Sequence, residues 1–503
     1  MSRWCFAFGI VATALVPRVA LAQLGTNGAQ LQTSRYAVDL FQGPVLASTR
    51  VIGMGGAYVA IAEGVEGSFY NPAAPAVRQP WSRHNIDYDL GAGITSPGTL
   101  QRSDFFNSGN NKTNLATSNT GRFVLLDAEG NLQIDHWGFG AGVTLQQYSL
   151  KRDATATKAS TEQLDAQFYV FLVQLARSLV DGQLILGVGL RPTALNVVNL
   201  NASATQPSLL FASEGLGYSA GLLWRPNDMA FRLGAAFNSA VTTRARSSTT
   251  SIQVDASGNR VISPNTADEM YLPERVGLPW DLDMGVAVQF GARPFNPRWT
   301  GPNELLRSAR RRLEWRRVER ARDRAAALDA VRSDPSESAR INAEQDRSNA
   351  DALARDEQEL DREKAAVDHE LRERERKLGR WYILVSSSLR VSGPIGDAVG
   401  VESFLQRVVD RSGRRTVVSP HLGLESEVIS NWLKLRAGLY GEPTRFDNLR
   451  AAPRIHTTLG FEQKLFTWRV FGLYSDGTAW RIHMAADFSE RYFGWSGSIG
   501  VWH

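Results

Sequence analysis

The feature that most constrains this chain is a period-two alternation of apolar with polar or small residues, repeated over many segments. From Trp137 to Leu145, for example, apolar side chains occupy the odd positions, and glycines or Thr144 the even ones. Successive side chains of a strand point to opposite faces, so each segment predicts a strand with one apolar face. Soluble sandwiches share this alternation, but their strands average about five or six residues, whereas crossing a bilayer takes about ten. The length of the segments therefore favours a membrane β-barrel.

The number of such segments predicts the size of the barrel. Fifteen lie near residues 82–92, 120–127, 137–150, 164–177, 183–195, 215–226, 229–242, 278–292, 380–393, 417–427, 432–441, 454–465, 467–475, 480–488 and 494–502. Single-chain bacterial barrels have even strand numbers. Because the rhythm of long and short connections becomes irregular after residue 465, we place the superfluous segment there. We predict an all-β membrane protein with a fourteen-stranded antiparallel outer-membrane barrel.

The N-terminus agrees with export. Residues 1–22 combine Arg3, a short apolar stretch and Ala20-Leu21-Ala22 before Gln23, which predicts a signal peptide rather than an anchor helix. The only cysteine, Cys5, leaves with that peptide, so the mature chain is expected to have no disulfide, thiolate metal site or cysteine nucleophile. We expect a cell outer membrane location, contact with outer-membrane lipid and no nucleic-acid partner.

Residues 23–80 precede the barrel and carry two unusual signals. Gly55-Gly56 permits a close approach of backbones, and residues 57–62 are predicted as a short helix of small residues. Asn71-Pro72-Ala73 then ends the segment with a turn. The glycines do not predict a nucleotide loop, because no strand precedes them and no Lys-Ser/Thr follows.

Together these two motifs resemble the FadL-like family of outer-membrane transporters and the related PorV/PorQ group. The resemblance covers most of residues 45–503 except about 300–379. It implies a fourteen-stranded barrel with an N-terminal hatch, around which hydrophobic substrates pass. By that resemblance the hatch residues are Gly53, Gly55, Gly56, Ala57, Asn71, Pro72 and Ala73.

The barrel itself is expected in two parts, residues 81–300 and 380–503. Charged residues on the polar face of its strands should line the lumen and pair in networks, because a single buried charge is costly. These lumen candidates are Arg191, Arg232, Asp283, Arg390, Lys434, Arg436, Glu462, Arg481 and Asp487. Segment 168–175 is apolar on both faces, which suits a hydrophobic ligand or packing against the hatch.

Residues 301–379 interrupt the barrel with a different composition. About half of 302–379 are charged and glycine is almost absent, which predicts a helical hairpin over 303–332 and 336–378. Leu353, Leu360 and Val367 are seven residues apart, as in a coiled coil. A solvated charged linker is the alternative. The insertion follows the eighth strand, which predicts a periplasmic position where 303–378 contacts peptidoglycan or an envelope protein.

Two functions remain open from the sequence. The first is passive uptake of hydrophobic small molecules such as long-chain fatty acids. The alternative is a PorV-like adaptor for an envelope secretion or motility complex, using the helical insertion. A general diffusion porin is less compatible with a hatch. We expect no enzyme activity, catalytic residues, cofactor or metal site.

Overall fold

Fourteen strands form a closed antiparallel barrel in the computed structural model, which describes residues 24–502 except 47, 81, 98–103, 110–122, 153–161, 200–207, 248–251, 263–268, 331–334, 448–450 and 466–478. The barrel strands, named β1 to β14, are Ile86–Pro97, Val124–Ile134, Trp137–Arg152, Glu162–Leu179, Leu184–Asn199, Ser208–Trp224, Phe231–Asn238, Asp281–Gly291, Tyr382–Ser392, Val417–Ile429, Leu433–Glu442, Arg454–Lys464, Ala479–Ser489 and Tyr492–Trp502.

Each strand pairs with its neighbours in sequence, and β14 closes the ring against β1, with Leu90 opposite Val501. This confirms the fourteen-stranded barrel. Segment 467–475 lies outside the described residues, and the ring closes without it because β12 pairs directly with β13.

The outer face of the barrel is apolar and its inner face is largely polar. Phe139 and Val173 are exposed on the outside, whereas Asn131 and Gln174 are buried inside. Strands span a bilayer in this closed form because every backbone polar group finds a partner within the ring. The protein is an outer-membrane barrel. Among the described helices, none is both long and apolar enough to cross a membrane.

The two ends of the barrel differ. At one end, here called the turn end, β2–β3, β4–β5, β6–β7 and β10–β11 are joined by connections of two to six residues. The opposite end, here called the loop end, carries the long connections 98–123, 239–280 and 393–416. The one longer connection, the insertion between β8 and β9, lies at the turn end.

N-terminal residues 24–40 lie at the loop end. Ala37–Asp39 forms the central strand of a five-stranded sheet, parallel to Arg275–Leu278 and Ala398–Gly400. A short helix, Val401–Gln406, directly follows the strand Ala398–Gly400; it is the fifth helix of the chain and is called α5. Apolar side chains beneath the sheet form one buried cluster that includes Tyr36 and Phe404. We call residues 24–40 and the described parts of 239–280 and 393–416 the loop cap.

Residues 41–80, the hatch, run through the lumen from the loop end to the turn end. They contain helix α1, Thr49–Gly53, and two 3-10 turns, Val65–Gly67 and Ala74–Ala76. The predicted helix over 57–62 is wrong. The helix lies earlier in the chain, because Gly55 and Gly56 adopt φ values of +59° and +80° that end it, and residues 57–62 form turns.

The insertion leaves the turn end as helices α2 (Pro302–Leu305), α3 (Arg307–Ala330) and α4 (Pro335–Lys377). Ion pairs join α3 to α4, and their partners run in opposite directions along the chain, from Arg312–Glu363 to Arg324–Asp346. The helices therefore form an antiparallel hairpin. Leu353, Leu360 and Val367 are only partly buried, and Asp356 is buried between charged partners. Charged contacts, rather than a continuous apolar seam, join the two helices.

Candidate functional site

The hatch fits the lumen because the barrel wall offers glycines wherever the two backbones meet. A Cβ atom at Gly423 would lie 2.6 Å from the Met54 carbonyl oxygen, and one at Gly438, Gly187 or Gly138 would also overlap hatch backbone. Wall strands rich in inward-facing glycine therefore bring the hatch into direct contact with the sheet. All seven predicted hatch residues are buried in the lumen: Gly53, Gly55, Gly56, Ala57, Asn71, Pro72 and Ala73.

Asn71 locks the return of the hatch toward the turn end. Its Nδ2 donates to the carbonyl oxygens of Val59 (2.8 Å) and Leu222 (3.2 Å), while its Oδ1 accepts from the Ala73 amide (3.0 Å). The side chain thus joins two parts of the hatch to β6. A fully buried amide with these partners is satisfied, and it fixes where Pro72 meets the wall.

A buried network of charges links the hatch to β10, β11 and β12. Glu425 accepts two hydrogen bonds from Arg50 of the hatch, at 2.8 and 2.9 Å, and one from the Tyr382 hydroxyl at 2.7 Å. Arg436 bridges Glu425 to Glu462. Glu462 also pairs with two further predicted lumen residues, Lys434 and Arg481.

Glu63 is the second anchor of the hatch. It lies 3.0 Å from Arg232, 3.2 Å from Arg293 and 3.5 Å from Arg50. Burial alone would raise the pKa of Glu63, but Arg293, Arg232 and Arg50 together lower it to about 2. The carboxylate therefore stays charged, and it holds three guanidinium groups around the middle of the hatch.

A chain of polar side chains lies on the same wall nearer the loop end. The Tyr440 hydroxyl donates to Asp487 at 2.6 Å, and His456 lies between Asp487 (2.8 Å) and Glu442 (2.7 Å). Arg454 closes the chain on Glu442. Charged and polar side chains of β10 to β13 therefore occupy much of this side of the lumen, beside a smaller apolar cluster of the hatch that includes Val51 and Met54.

The lumen also contains a cavity of about 170 Å³ between hatch and loop cap. Apolar side chains of the wall, the hatch and the loop cap line part of it: Leu40, Phe41, Phe69, Leu125, Phe168 and Val170. An engineered apolar cavity of about 150 Å³ is large enough to bind benzene. The lumen cavity therefore matches a molecule of about one aromatic ring.

Charged groups also line this cavity. Asp127 and Glu129 of β2 face it, and both oxygens of Glu129 lack a hydrogen-bond partner. Arg191 and Arg390 also line it, and Arg390 pairs with Asp283 at 3.0 Å. Beside Arg191 the pairing of β4 and β5 is interrupted between Thr193 and Leu190, where Pro192 has no amide hydrogen.

The structure places all nine predicted lumen residues on the inner side of the barrel, but it separates them by position. Lys434, Arg436, Glu462 and Arg481 share one network. Arg191 and Arg390 line the cavity, and Asp283 pairs with Arg390. Arg232 contacts Glu63, and Asp487 contacts His456 in the chain of polar side chains nearer the loop end. Sequence reasoning missed the charged and polar residues that join these networks, Arg50, Glu63, Glu425 and His456, and two acids that line the cavity, Asp127 and Glu129. Strand parity alone indicated Glu425, which alternates with the apolar Leu422 and Leu424.

Among the described residues, no group of three or more His, Cys, Asp or Glu side chains is arranged to hold a metal ion.

Comparison with known proteins gives similarity of fold only. No family model matches the chain, and no curated protein matches its sequence. The fold is similar to a FadL homologue from Pseudomonas aeruginosa, with a TM-score of 0.48, 11% identity, and 92% of this chain and 99% of that chain covered. The fold is also similar to the toluene transporter TodX of Pseudomonas putida, with a TM-score of 0.46, 12% identity, and 92% of this chain and 98% of that chain covered. For the monoaromatic hydrocarbon channel CymD the TM-score is 0.45 and the identity 11%, with 92% of this chain and 98% of that chain covered. At these values the likeness carries no conclusion about the substrate. The resemblance to the PorV/PorQ group stays a prediction.

Proposed function

We propose that this outer-membrane barrel takes up hydrophobic small molecules passively, through the lumen cavity between loop cap and hatch. The observation that carries the proposal is the apolar part of that cavity, to which the wall strand β4 contributes Phe168 and Val170. Burial of apolar surface drives a hydrophobic molecule from water into such a site, at about 25 cal/mol per Å².

The volume of the cavity determines which class of hydrophobic substrate fits it best. A compact hydrophobic molecule of one ring fits the 170 Å³ without rearrangement. A long-chain fatty acid is larger, so its entry requires part of the hatch or the loop cap to move. We therefore place compact hydrophobic molecules first and long-chain fatty acids second.

One substitution in the cavity tests the proposal. Val170→Trp places a large ring in the cavity, whereas Val173→Trp adds the same ring on the outer face of the same strand. Cells that produce the Val170 variant should take up radiolabelled toluene at least several-fold more slowly than cells with the Val173 control. Equal uptake by both variants, with equal amounts of folded barrel, would show that the cavity is not the route.

A second candidate function is an adaptor for an envelope complex, and the helical hairpin favours it. Trp315 and Val318 are exposed at 67% and 47% on the side of α3 that faces away from α4. These two side chains are one turn apart on the helix, so they offer a small apolar surface to another molecule. If the barrel is an adaptor, Trp315→Ser should release a co-purifying envelope protein or peptidoglycan fragment and leave toluene uptake unchanged.

Both candidates place the turn end in the periplasm, as in barrels with short periplasmic turns. A cysteine at the exposed position Ser348 of α4 tests this orientation. An impermeant thiol reagent should leave it unlabelled in whole cells and label it once the outer membrane is opened. Immediate labelling of intact cells would place the hairpin at the cell surface.

A further inference from the structure

A second and larger cavity, of about 370 Å³, lies at the turn end between the base of the hairpin and the mouth of the barrel. The hatch contributes Arg78 and Pro80 to its wall, the segment after β8 contributes Trp299, and α4 contributes Leu371 and Arg374. It is separate from the lumen cavity, because the hatch fills the lumen between them.

Cations dominate this wall. Six lining residues are basic and one, Glu375, is acidic; the basic residues are Arg78, Arg83, Arg225, Arg298, Arg374 and Lys377. Most of the six have a carboxylate partner elsewhere, such as Asp87 at 2.6 Å from Arg78 or Asp181 at 3.6 Å from Arg298.

Arg225 is the exception. Its side chain is buried, yet within the described part of the chain no carboxylate lies within 4.0 Å of it. One Nη donates to the Pro297 carbonyl oxygen at 3.0 Å, and Nε has no hydrogen-bond partner. Burial lowers the pKa of Arg225 to about 9, so the guanidinium remains charged at neutral pH. A buried charge without a counter-ion is unfavourable, and an anion in the cavity would relieve this cost.

The cavity also offers an apolar surface. The guanidinium carbon of Arg78 stacks over the Trp299 ring at 4.0 Å, and Leu371 is buried at the hairpin base. A guanidinium fork binds carboxylates with good geometry, while Trp299 and Leu371 suit an apolar body. We propose that this cavity binds a small organic anion with an apolar body, such as an aromatic monocarboxylate, with Arg225 as its main charged contact.

Photolabelling of the purified barrel tests the site directly. The probe is a trifluoromethyl-diazirinyl benzoate, and its neutral control is the corresponding benzyl alcohol. The benzoate should label peptides that contain residues 297–300 and 371–378, and the alcohol should label them about tenfold less, as expected for about 1.4 kcal/mol from a charge-assisted hydrogen bond. The absence of label from both peptides, or equal labelling by the two probes, would overturn the proposal.

Substitutions identify the groups responsible. Arg225→Met removes a buried uncompensated charge, so the barrel should stay folded while the preference for the benzoate disappears. The pair Arg374→Ser with Lys377→Ser should weaken labelling by the benzoate. Its matched control, Arg372→Ser with Arg376→Ser, removes two exposed basic residues of the same helix that do not line the cavity, and should leave labelling unchanged. An unchanged preference for the benzoate in the Arg225 variant would contradict the assignment of Arg225 as the main charged contact, whatever the result for the Arg374 pair.

Discussion

Ion pairs hold both the hatch and the helical hairpin, but their surroundings differ. In the hatch, Arg50 and Glu425 are 2.8 Å apart, with side chains 5% and 0% exposed. In the hairpin, Arg312 and Glu363 are 2.9 Å apart, with side chains 49% and 41% exposed. The two distances are nearly equal, but the two pairs differ in what their loss costs in stability. Water screens the exposed pair, whereas removing one partner of the buried pair leaves a buried charge uncompensated.

The largest expected effect comes from removing the acid at the centre of the hatch network. Glu425→Ala leaves Arg50 and Arg436 buried without this partner, which should cost about 3–5 kcal/mol. The temperature at which the unboiled barrel converts to the unfolded band on a gel should fall by many degrees. Glu359→Ala, which breaks the exposed pair with Arg316 in the hairpin, is the control and should cost about 0–1 kcal/mol. Equal shifts for the two variants would remove the distinction between the regions.

Sequence reasoning predicted the hairpin better than the hatch contacts, and the range of the interactions explains why. Helical composition is a local property, so the composition of residues 302–379 alone is enough to predict helices there. The partner of Arg50, in contrast, lies 375 residues away, and strand parity shows that Glu425 faces inward but not which residue it meets. The same limit applies to Ala37–Asp39, whose neighbours in the loop cap come from residues 275 and 398 onward.

The close fit of the hatch should also be sensitive to volume. Gly56→Ala introduces a Cβ 2.8 Å from His421 Nδ1, and overpacking of this kind costs about 1–3 kcal/mol. Gly28→Ala is a matched control, because Gly28 has a similar φ of +88° but no atom within 4 Å of the added carbon. Both variants carry the backbone strain, so the difference between their conversion temperatures reports crowding alone. Gly56→Leu should reduce barrel yield further.

The loop cap should respond to pH through Glu402. Burial, with Asp104 nearby, raises the pKa of Glu402 to about 8, and the Ser108 hydroxyl donates to it at 2.9 Å. An acid whose folded pKa is raised adds stability below its ordinary pKa of 4.5, and this contribution is lost as pH rises through about 8. Amides of residues 399–409 should therefore exchange hydrogen faster in the native protein than in Glu402→Gln at about pH 9, and at similar rates at about pH 5. The two proteins are compared at equal pH, so that the chemical exchange rate cancels. A constant ratio across pH would contradict this role of Glu402.

Replacement of residues 303–378 by a short Gly/Ser turn should change the stability of the barrel least, although it changes more of the chain than any of the substitutions does. Gly291 and Tyr382 already lie opposite each other in β8 and β9, so the barrel ring needs no helices for closure. The hairpin is held mainly by exposed ion pairs of its own, each of which contributes about 0–1 kcal/mol. The conversion temperature on the gel should then stay close to that of the native protein. A longer deletion that also removes 293–300 should lower it clearly, because Arg293 pairs with Glu63 and Asn296 accepts from buried Arg232 at 2.7 Å. If the short deletion destabilised the barrel as much as the long one, the hairpin would be part of the barrel fold rather than an addition to its turn end.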